Sequence, residues 1–369
     1  MTRTILVVGA SGVTGRYFLD HAIRRGDRTV IGMARNRPDD FPEAGHFVAA
    51  DAMDPDAVEQ ALDGLPTVTD VVYAGFVNAP SFLEQVAPNR RLLAGTLGGV
   101  TRASDRLERI VLIQGMKYYG SHLGPFRSPA RENDPRHMPP NYYYEQQDFL
   151  AEAQAAQKGT GARWSWTCLR PHVICGHSLR SPQNILAIVG VYAAISRELG
   201  LPLRFPGTPA AFDAINQATD AGLLARGIDW ALETPEASNE AYNITNGDFF
   251  RWRHLWTRIA ELFGMETAEP QTISLGDFMA DKGDVWDRVV RRHGLSAPAM
   301  DAFVHWPFAD YIWRVGWDVM ASTVKIRQAG FADCLDTEDM YIDHLRSLQD
   351  QGFLPGKDAR APIGKGPKL

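Results

Sequence analysis

Short apolar runs alternate with amphipathic stretches along the first half of the chain. Strands are predicted at residues 4–8, 28–33, 46–50, 69–74, 109–115 and 164–169. Helical periodicity lies between them, at residues 13–25, 54–63, 80–104 and 143–158. Strands that are apolar along their whole length and separated by helices are typical of a parallel sheet covered on both faces. The pattern therefore predicts an α/β fold built on a Rossmann-type doubly wound parallel sheet.

The alternation becomes less regular after Pro171. Helix-like stretches at 184–199, 217–233 and 251–263 are separated by segments rich in Gly, Pro and Ser. Residues 276–330 have the pattern of a largely helical region rich in Trp and Phe. This half predicts a smaller, mainly helical domain, part of which returns to complete the sheet.

A glycine-rich turn follows the first predicted strand and opens the first predicted helix. Its glycines, Gly9, Gly12 and Gly15, have the spacing G-x-x-G-x-x-G. The first permits a tight turn, the second lets backbone N–H groups reach a pyrophosphate, and the third lets the helix pack close to the strand. In this context the turn predicts a dinucleotide site, to which Ser11, Val13 and Thr14 also belong.

The end of the second predicted strand bears on which dinucleotide binds. NAD-specific sites place an acidic residue there to accept from the ribose 2′-OH, whereas this chain has Arg35 and Asn36. A guanidinium suits a 2′-phosphate, so Arg35 favours NADPH. A solvated surface arginine is the alternative, and the nearby Asp39 and Asp40 leave NADH open.

Asp51, with Ala52 after it, follows the third predicted strand. Its carboxylate is expected to accept from the adenine amino group, or else to cap the next helix. The ends of the later strands complete the expected cofactor site, because ligands bind at the carboxyl ends of parallel strands. These residues are Tyr73, Ala74, Gly75, Gln114, Gly115, Pro171, Val173 and Ile174.

A dinucleotide sheet of this kind invites a search for the Tyr-x-x-x-Lys pair of short-chain dehydrogenases, and no tyrosine of this chain has a lysine four positions on. If the chemistry is retained, the ammonium must come from elsewhere. Lys117 follows a predicted strand end, and Tyr142, Tyr143 and Tyr144 open a helix where the tyrosine is expected. A core cluster of tyrosines beside a surface lysine is the alternative interpretation.

Several motifs along residues 4–331 resemble the progesterone 5β-reductase/iridoid synthase-like (PRISE) family of atypical extended short-chain dehydrogenases/reductases. They are Met33-Ala34-Arg35, Gly115-Met116-Lys117-Tyr118-Tyr119, Gly124-Pro125-Phe126, Asn141-Tyr142-Tyr143-Tyr144 with Asp148, the Arg170–Ser178 segment, Phe205-Pro206-Gly207 and Trp252-Arg253-His254-Leu255-Trp256. The family usually has two arginines after the alanine, where this chain has Arg35 and Asn36, and a Phe where it has Tyr142. Relative to the family, this chain also carries extra residues around Ser121 to Leu123, in a loop expected to line the substrate pocket.

The resemblance implies an NADPH-dependent reductase of the C=C bond of enones, with Tyr143 as the catalytic phenol and Lys117 as its ammonium partner. We expect a substrate site formed by Phe76, Tyr118, Phe126, Tyr144 and His177. Carbonyl (1,2) reduction or epimerisation on the same scaffold is an alternative function, and a non-catalytic NADP-binding sensor is another. The aromatic residues Phe76, Phe126, Trp306, Phe308, Tyr311 and Trp313 form either an apolar pocket or part of the core.

The expected domain boundaries follow from these interpretations. Residues 1–177 are predicted to form an NADP(H)-binding Rossmann domain, to which part of 212–248 returns. Residues 178–355 are predicted to form the substrate-binding domain. Residues 356–369 contain Pro, Gly and Lys with almost no large apolar residue, and predict a flexible tail.

Composition excludes several other classes of protein. The net charge of −6 over 369 residues argues against a nucleic-acid or anionic-membrane surface. No apolar run reaches the ~20 residues of a spanning helix, and the run from Ile5 to Ala10 is too short for a signal peptide. Three cysteines without Cys-x-x-Cys spacing predict neither a disulfide framework nor a metal site. We expect a cytoplasmic enzyme that acts on a small hydrophobic carbonyl compound, with a possible homodimer through residues 80–104 and 143–158.

Overall fold

The structure of the chain, a computed structural model, describes residues 3–38, 41–157, 164–177 and 184–357. The strands are β1 (Arg3–Val8), β2 (Arg28–Ala34), β3 (His46–Ala49), β4 (Asp70–Tyr73), β5 (Arg109–Ile113), β6 (Ser165–Pro171), β7 (Ile174–Cys175), β8 (Leu203–Arg204), β9 (Thr219–Asp220), β10 (Glu240–Ile244) and β11 (Thr267–Ala268). The predicted tail beyond Lys357 lies outside the described residues, as do Asp39 and Asp40.

The helices are α1 (Val13–Arg25), α2 (Pro55–Leu62), α3 (Phe82–Ala103), α4 (Tyr142–Ala156), α5 (Ile185–Glu198), α6 (Pro209–Asp213), α7 (Ala221–Glu233), α8 (Trp252–Phe263), α9 (Leu275–Phe278), α10 (Gly283–His293), α11 (Met300–Phe303), α12 (Trp306–Ile312), α13 (Val324–Gln328) and α14 (Thr337–Asp350). Two short 3₁₀ helices, η1 (Met116–Tyr119) and η2 (Pro235–Ala237), complete the described elements. Helix α7 begins later than the predicted residue 217, because residues 219 and 220 form β9 and the Asp220 carboxylate caps the helix by accepting from the N–H of Leu223.

The chain divides into two compact units, each built from more than one segment. The first contains residues 1–174, 218–247 and 321–334, and the second contains residues 175–217, 248–320 and 335–369. The sequence did not indicate that residues 321–334 belong to the first unit. Which unit takes the cofactor and which the substrate stays a prediction.

The first unit is built on a seven-stranded sheet with the strand order β10-β6-β5-β4-β1-β2-β3, in which every pair is parallel. The chain adds β2 and β3 on one side of β1 and then crosses to β4 on the other side of β1. This reversal of the strand order is typical of a doubly wound sheet. All six predicted strands are present, so the predicted Rossmann-type α/β fold is confirmed. The seventh strand, β10, pairs with β6 at the edge.

Side chains on the two faces of this sheet are buried because helices cover both. Leu6 and Val8 pack in one core cluster with residues of α2, α3 and α4, such as Val58 and Leu97. Ile5 and Val7 point to the opposite face, since side chains alternate along a strand, and both are fully buried. Helices α1 and α7 pack against each other and against the strands.

A charged network joins α1, β2 and α7 within the first unit. The carboxylate of Asp229 accepts hydrogen bonds from Arg28, whose side chain is almost fully buried, from Arg25, and from His21 at 2.9 Å. Arg28 also donates to Glu233 at 2.8 Å. Burial raises the pKa of Asp229, but the hydrogen bonds and the two guanidinium charges outweigh it and hold the pKa below its usual value.

The second unit has an aromatic core. The ring of Phe205 lies 5.2 Å from Trp256 and 5.6 Å from Trp313, and Trp252 lies 5.7 Å from Trp313. Trp313 is fully buried there, whereas Tyr311 is exposed. Residues 276–330 form several short helices, separated by loops, rather than one continuous helical stretch. Among the described residues, no helix is both long and apolar enough to cross a bilayer.

Candidate active site

The turn between β1 and α1 has the geometry that its glycines predict. Gly9 has φ of +84°, and a Cβ there would lie 2.6 Å from the carbonyl oxygen of Ala74. A Cβ on Gly15 would lie 2.3 Å from the carbonyl oxygen of Gly9. A side chain at either position would therefore push apart the turn, the end of β4 and the start of the helix.

The first turn of α1 is open to an anion. Gly12 is the N-cap, no side chain caps the helix, and no acidic residue lies in its first turn. The first N–H groups of a helix lack internal partners and carry the positive end of its dipole. Ser11 is exposed beside them, and Val13 and Thr14 begin the helix. These residues fit the pyrophosphate of a dinucleotide.

Arg35 and Asn36 are both exposed in the loop that follows β2. Arg37 is held against aromatic rings, with its guanidinium 5.1 Å from the centre of Phe41 and 5.9 Å from that of Phe47. Arg35, by contrast, forms no ion pair with any residue that the structure describes. Its guanidinium fits a phosphate ligand in this loop.

Asp51 is exposed after β3, and its carboxylate accepts from the N–H of Met53 at 3.0 Å. The N-cap of α2 is Asp54, which accepts from the N–H of Asp56. The alternative role of Asp51 as the helix cap is therefore wrong, because the N-cap is three residues later, at Asp54. Ala52 beside it is buried.

The end of β4 carries a buried tyrosine. The hydroxyl of Tyr73 is enclosed and has no hydrogen-bond partner among the described residues, and burial raises the pKa of this phenol. Ala74 donates its N–H to the carbonyl of Val8, which fixes the segment that contains Gly75 beside the first turn. Phe76 is 48% exposed, so it is available to a ligand.

The backbone segments that carry Tyr143 and Lys117 meet at the end of β5. A Cβ on Gly115 would lie 3.1 Å from the hydroxyl of Tyr143 and 3.4 Å from the carbonyl oxygen of Pro171. The phenol therefore lies directly beside the residue that precedes η1, and η1 contains Lys117. Asn141 joins the two segments, because its side chain donates to the carbonyl of Lys117 at 2.7 Å and accepts from the N–H of Tyr143 at 3.0 Å.

Burial perturbs the ionisable groups at this point. It lowers the pKa of Lys117, whose ammonium lies 5.1 Å from the centre of the Phe82 ring. It raises the pKa of Tyr143, while the neighbouring Tyr142 phenol acts on this pKa in the opposite direction. Burial and the charge of Lys117 lower the pKa of His122 to about 4, so this imidazole is neutral at physiological pH. Perturbed groups that converge beside a strand end are typical of an active site.

Arg170 joins the segments of the candidate site through hydrogen bonds, a role that the sequence did not predict. Its side chain is fully buried in β6 and donates to the side-chain oxygen of Gln114 at 3.0 Å. Gln114 in turn donates to the carbonyl of Tyr143 at 3.0 Å, so this side chain is engaged inside the protein. The guanidinium lies 3.4 Å from the centre of the Tyr118 ring and donates to the Tyr119 hydroxyl at 2.8 Å. An arginine within a predicted buried strand is the signal that could have indicated such a network, since a buried charge requires partners.

The same network extends to the edge strand and to α4. Tyr119 donates from its hydroxyl to the side-chain oxygen of Asn243 in β10 at 2.6 Å. Arg170 donates to the side chain of Gln147 at 3.0 Å. The 3₁₀ helix η1, which carries Lys117, is thus held by β6 and β10, and α4, which carries Tyr143, is held by β6.

The residues expected to contact substrate have different environments. Tyr118 and Tyr144 are buried, with ring centres 4.9 Å apart, and the Tyr144 hydroxyl donates to the carbonyl of Tyr118 at 2.6 Å. These two rings fix η1 against α4. Phe126 is half-buried in the first unit. His177 belongs to the second unit, where its ring lies 5.2 Å from that of Phe353.

The segment after β6 is strained. Val173 has φ of +37°, which a β-branched residue rarely adopts. Thr219 holds it there, because its N–H donates to the carbonyl of Val173 at 3.2 Å and its hydroxyl accepts from the N–H of His172 at 3.0 Å. Ile174, next in sequence, is half-buried. Strain of this kind concentrates at ligand sites. Within the described residues, no group of three or more His, Cys, Asp or Glu side chains is placed to hold a metal ion.

Comparison with known proteins identifies relatives of this chain. The family model of the PRISE-like Rossmann-fold domain matches residues 48–346. The (S)-8-oxocitronellyl enol synthase of Camptotheca acuminata is 33% identical over 95% of this chain and 93% of its own length. The 3-oxo-Delta(4,5)-steroid 5-beta-reductase of Arabidopsis thaliana is 32% identical over 95% of this chain and 92% of its own length.

Solved structures share the fold at low sequence identity. The UDP-glucose 4-epimerase of Thermotoga maritima has a TM-score of 0.65 and 15% identity over 93% of this chain and 99% of that one. The enzyme WbmH of Bordetella bronchiseptica, solved in complex with NAD+, has a TM-score of 0.63 and 16% identity over 95% of this chain and all of that one. These similarities show the fold alone.

Proposed function

This chain belongs to the PRISE-like Rossmann-fold family, and we propose that it is an NADPH-dependent reductase of the C=C bond of α,β-unsaturated carbonyl compounds. It is an oxidoreductase of the short-chain dehydrogenase/reductase superfamily, as its relatives are. One of these relatives is named as a reductase of a 3-oxo-Delta(4,5)-steroid, which is an enone. The substrate class that we propose is a small hydrophobic enone.

NADPH fits the residues at the carboxyl ends of the strands. The open N-terminus of α1 would receive the pyrophosphate, and Gly9 and Gly15 leave the space for a close approach. Arg35 would pair with the 2′-phosphate, and the carboxylate of Asp51 would accept from the adenine amino group. The preference for NADPH over NADH rests on Arg35. Replacing Arg35 by Ala is therefore expected to raise KM for NADPH by about tenfold and to leave KM for NADH unchanged.

The bound reduced nicotinamide would supply a hydride to the β-carbon of the enone. Negative charge then develops on the carbonyl oxygen, and the hydroxyl of Tyr143 would donate a hydrogen bond to it. A donor already in position stabilises this charge more than it stabilises the ground state, which lowers the barrier. Lys117 would hold the ribose and, as an ammonium, would favour the phenolate form of Tyr143. A proton taken up from solvent at the α-carbon would then convert the enolate into the saturated ketone.

The observation that carries the proposal is the position of the Tyr143 hydroxyl beside Gly115, at the start of the turn that bears Lys117. The test is NADPH oxidation with 2-cyclohexen-1-one by the wild-type chain and by Tyr143→Phe. Removing one such donor commonly lowers turnover by ~10²–10³-fold, and this loss is expected with NADP+ binding retained. A Tyr143→Phe variant with the wild-type rate would contradict the proposal.

Analysis of the product separates the neighbouring functions. A saturated ketone supports enone reduction, whereas an allylic alcohol indicates carbonyl (1,2) reduction. Binding of NADP+ without oxidation of NADPH by any enone indicates a sensor. The cytoplasmic location and the homodimer remain predictions.

A further inference from the structure

An aromatic ring lies against the ammonium of Lys117. The Nζ atom is over the face of the Phe82 ring, 5.1 Å from its centre, which is within the range of a cation–π contact. The ring of His122 contacts that of Phe82 in turn, with ring centres 4.4 Å apart. All three residues belong to the first unit. The lysine selected from the sequence is therefore packed against an aromatic side chain that the sequence did not indicate.

The backbone that carries Phe82 is fixed by a capping box. Phe82 is the first residue of α3, and Ser81 before it is the N-cap. The N–H of Glu84 donates to the Ser81 hydroxyl at 3.2 Å, and the Glu84 carboxylate accepts from the N–H of Ser81 at 3.0 Å. The ring that contacts Lys117 therefore starts from a defined helix end.

His122 adds a second ring and no charge. Its side chain is half-buried, and its Nδ1 atom is enclosed without a hydrogen-bond partner among the described residues. Burial and the charge of Lys117 lower the pKa of this imidazole to about 4. It is therefore neutral at the pH of an assay, and it packs on Phe82 without repelling the ammonium.

We infer that Phe82 is a positioning residue for Lys117, whose ammonium its ring holds through a cation–π contact. In a Tyr-x-x-x-Lys pair one helix places both side chains, because residues four positions apart lie on the same helical face. Here Lys117 belongs to η1 and Tyr143 to α4, so helical spacing does not set the distance between phenol and ammonium. Phe82 supplies a contact from a third element. The inference rests on the proposed function, which gives Lys117 its role.

The ring face also acts on the charge of Lys117. Burial lowers the pKa of this ammonium, because the charged form loses the water around it. The negative face of an aromatic ring stabilises a cation and opposes that effect. Loss of the ring face with burial retained therefore lowers the pKa of Lys117 further.

Other ionisable groups lie on the elements around Lys117 and are unchanged in the experiment below. They are Tyr73 at the end of β4, Glu84 in α3, Tyr118 and Tyr119 in η1, His122, Arg136 and His137 in the segment between η1 and α4, Tyr142 and Tyr143 in α4, and Arg170 in β6. A difference between variants at position 82 therefore reports on the Phe82 ring.

The test measures the pKa of Lys117 directly, by 13C NMR of protein that is 13C-labelled at the lysine Cε atoms. The chain contains seven lysines, and the Lys117 signal is the one that disappears in Lys117→Met. Phe82→Leu removes the ring face and keeps an apolar side chain. We expect it to lower the pKa of Lys117 by about half to one pH unit, as for the loss of one cation–π contact. Phe82→Tyr keeps the ring face and is expected to keep the wild-type pKa.

Phe149→Leu is the matched control, because it removes the ring of another cation–π contact in the same unit. There the guanidinium of Arg90 lies 5.4 Å from the centre of the Phe149 ring. This variant is expected to lose stability to urea and to keep the wild-type pKa of Lys117. A Lys117 pKa in Phe82→Leu that equals or exceeds the wild-type value would overturn the inference, as would an equal fall in Phe149→Leu.

Enzyme activity tests the positioning role. The ammonium is lost as pH rises through the pKa of Lys117, so the alkaline limb of kcat/KM for 2-cyclohexen-1-one should move to lower pH in Phe82→Leu by the same amount. We also expect kcat at neutral pH to fall by about three- to tenfold, because a catalytic group is displaced. An unchanged limb and an unchanged kcat in this variant would overturn the role of Phe82. A wild-type rate in Lys117→Met would instead overturn the proposed function and leave the NMR result unaffected, so the two failures are distinguishable.

Discussion

Replacement of Asn141 by alanine is expected to reduce both stability and turnover, because its amide makes two contacts of different kinds. Its oxygen accepts from the N–H of Tyr143 as the N-cap of α4, and its nitrogen donates to the carbonyl of Lys117. The residue is 6% exposed, so water cannot replace these bonds. Loss of an N-cap costs about 1 kcal/mol. Loss of the second hydrogen bond costs about 0.5–1.5 kcal/mol, because the carbonyl of Lys117 still accepts from the N–H of Gly120. The free energy of unfolding should therefore fall by about 1.5–2.5 kcal/mol.

Asn141→Asp separates the two contacts. A carboxylate still accepts from the N–H of Tyr143 and is favoured at a helix N-terminus. It cannot donate to the carbonyl of Lys117, so this one hydrogen bond between η1 and α4 is lost while the contacts of Tyr144 with Tyr118 remain. Because small displacements of catalytic groups lower rates strongly, we expect kcat to fall at least about tenfold, with a smaller loss of stability than in Asn141→Ala.

Urea unfolding measures the stability of each variant, and the rate of NADPH oxidation with 2-cyclohexen-1-one measures kcat. If the free energy of unfolding of Asn141→Ala falls by less than about 1 kcal/mol, the assignment of Asn141 as the N-cap of α4 and as the donor to the carbonyl of Lys117 is refuted. Wild-type kcat in Asn141→Asp would refute the dependence of Lys117 on this bond.

Three further predictions concern other parts of the first unit. Gly15→Ala places a methyl group against the carbonyl of Gly9, so the dissociation constant for NADP+ should rise at least about tenfold. A fluorescence titration measures this constant, and an unchanged value would count against the turn geometry. Asp229→Asn removes one of the three carboxylates paired with the buried Arg28, the others being those of Asp27 and Glu233, and should lower the free energy of unfolding by about 1.5–3 kcal/mol at pH 7. Because the folded-state pKa of Asp229 is lowered, this wild-type advantage is fully present above about pH 4 and is lost as pH falls through the folded pKa; a difference independent of pH would contradict the assignment. Arg170→Lys keeps the charge but loses the forked donor, so kcat should fall about tenfold while KM for NADPH stays unchanged, and equal kcat would argue against its role in positioning.

The parts of the fold that depend on local pattern could be predicted from the sequence. The apolar run before Gly9 and the helix after Gly12 specify the first strand, turn and helix. The structure gives a conformational or steric reason for the glycines at positions 9 and 15 of this turn. Lys117 and Tyr143 could be selected as partners because one follows a strand end and the other opens a helix. The resemblance to a known family supplied their expected roles.

The hydrogen bonds that Gln114 and Arg170 make within the candidate site could not be predicted, because they depend on strand register. Gln114 was expected to contact the cofactor, but its side chain joins Arg170 to the carbonyl of Tyr143. The two residues are 56 positions apart, and they meet because β5 and β6 pair with Ile113 opposite Leu169. Sequence periodicity gives the faces of a strand but not the neighbour at each position.

The edge strand β10 also determines when the site can become rigid during synthesis. It supplies the oxygen of Asn243 that accepts from Tyr119, and Asn243 itself donates to the carbonyls of Ala130 and Ser322. A nascent chain that has emerged only to residue 177 holds both Lys117 and Tyr143 but lacks the strand that braces them. Catalytic competence is therefore acquired only after most of the polypeptide has left the ribosome. An amino-terminal fragment that ends after β6 lacks β10, so the outer edge of β6 has no paired strand, and we expect such a fragment to aggregate.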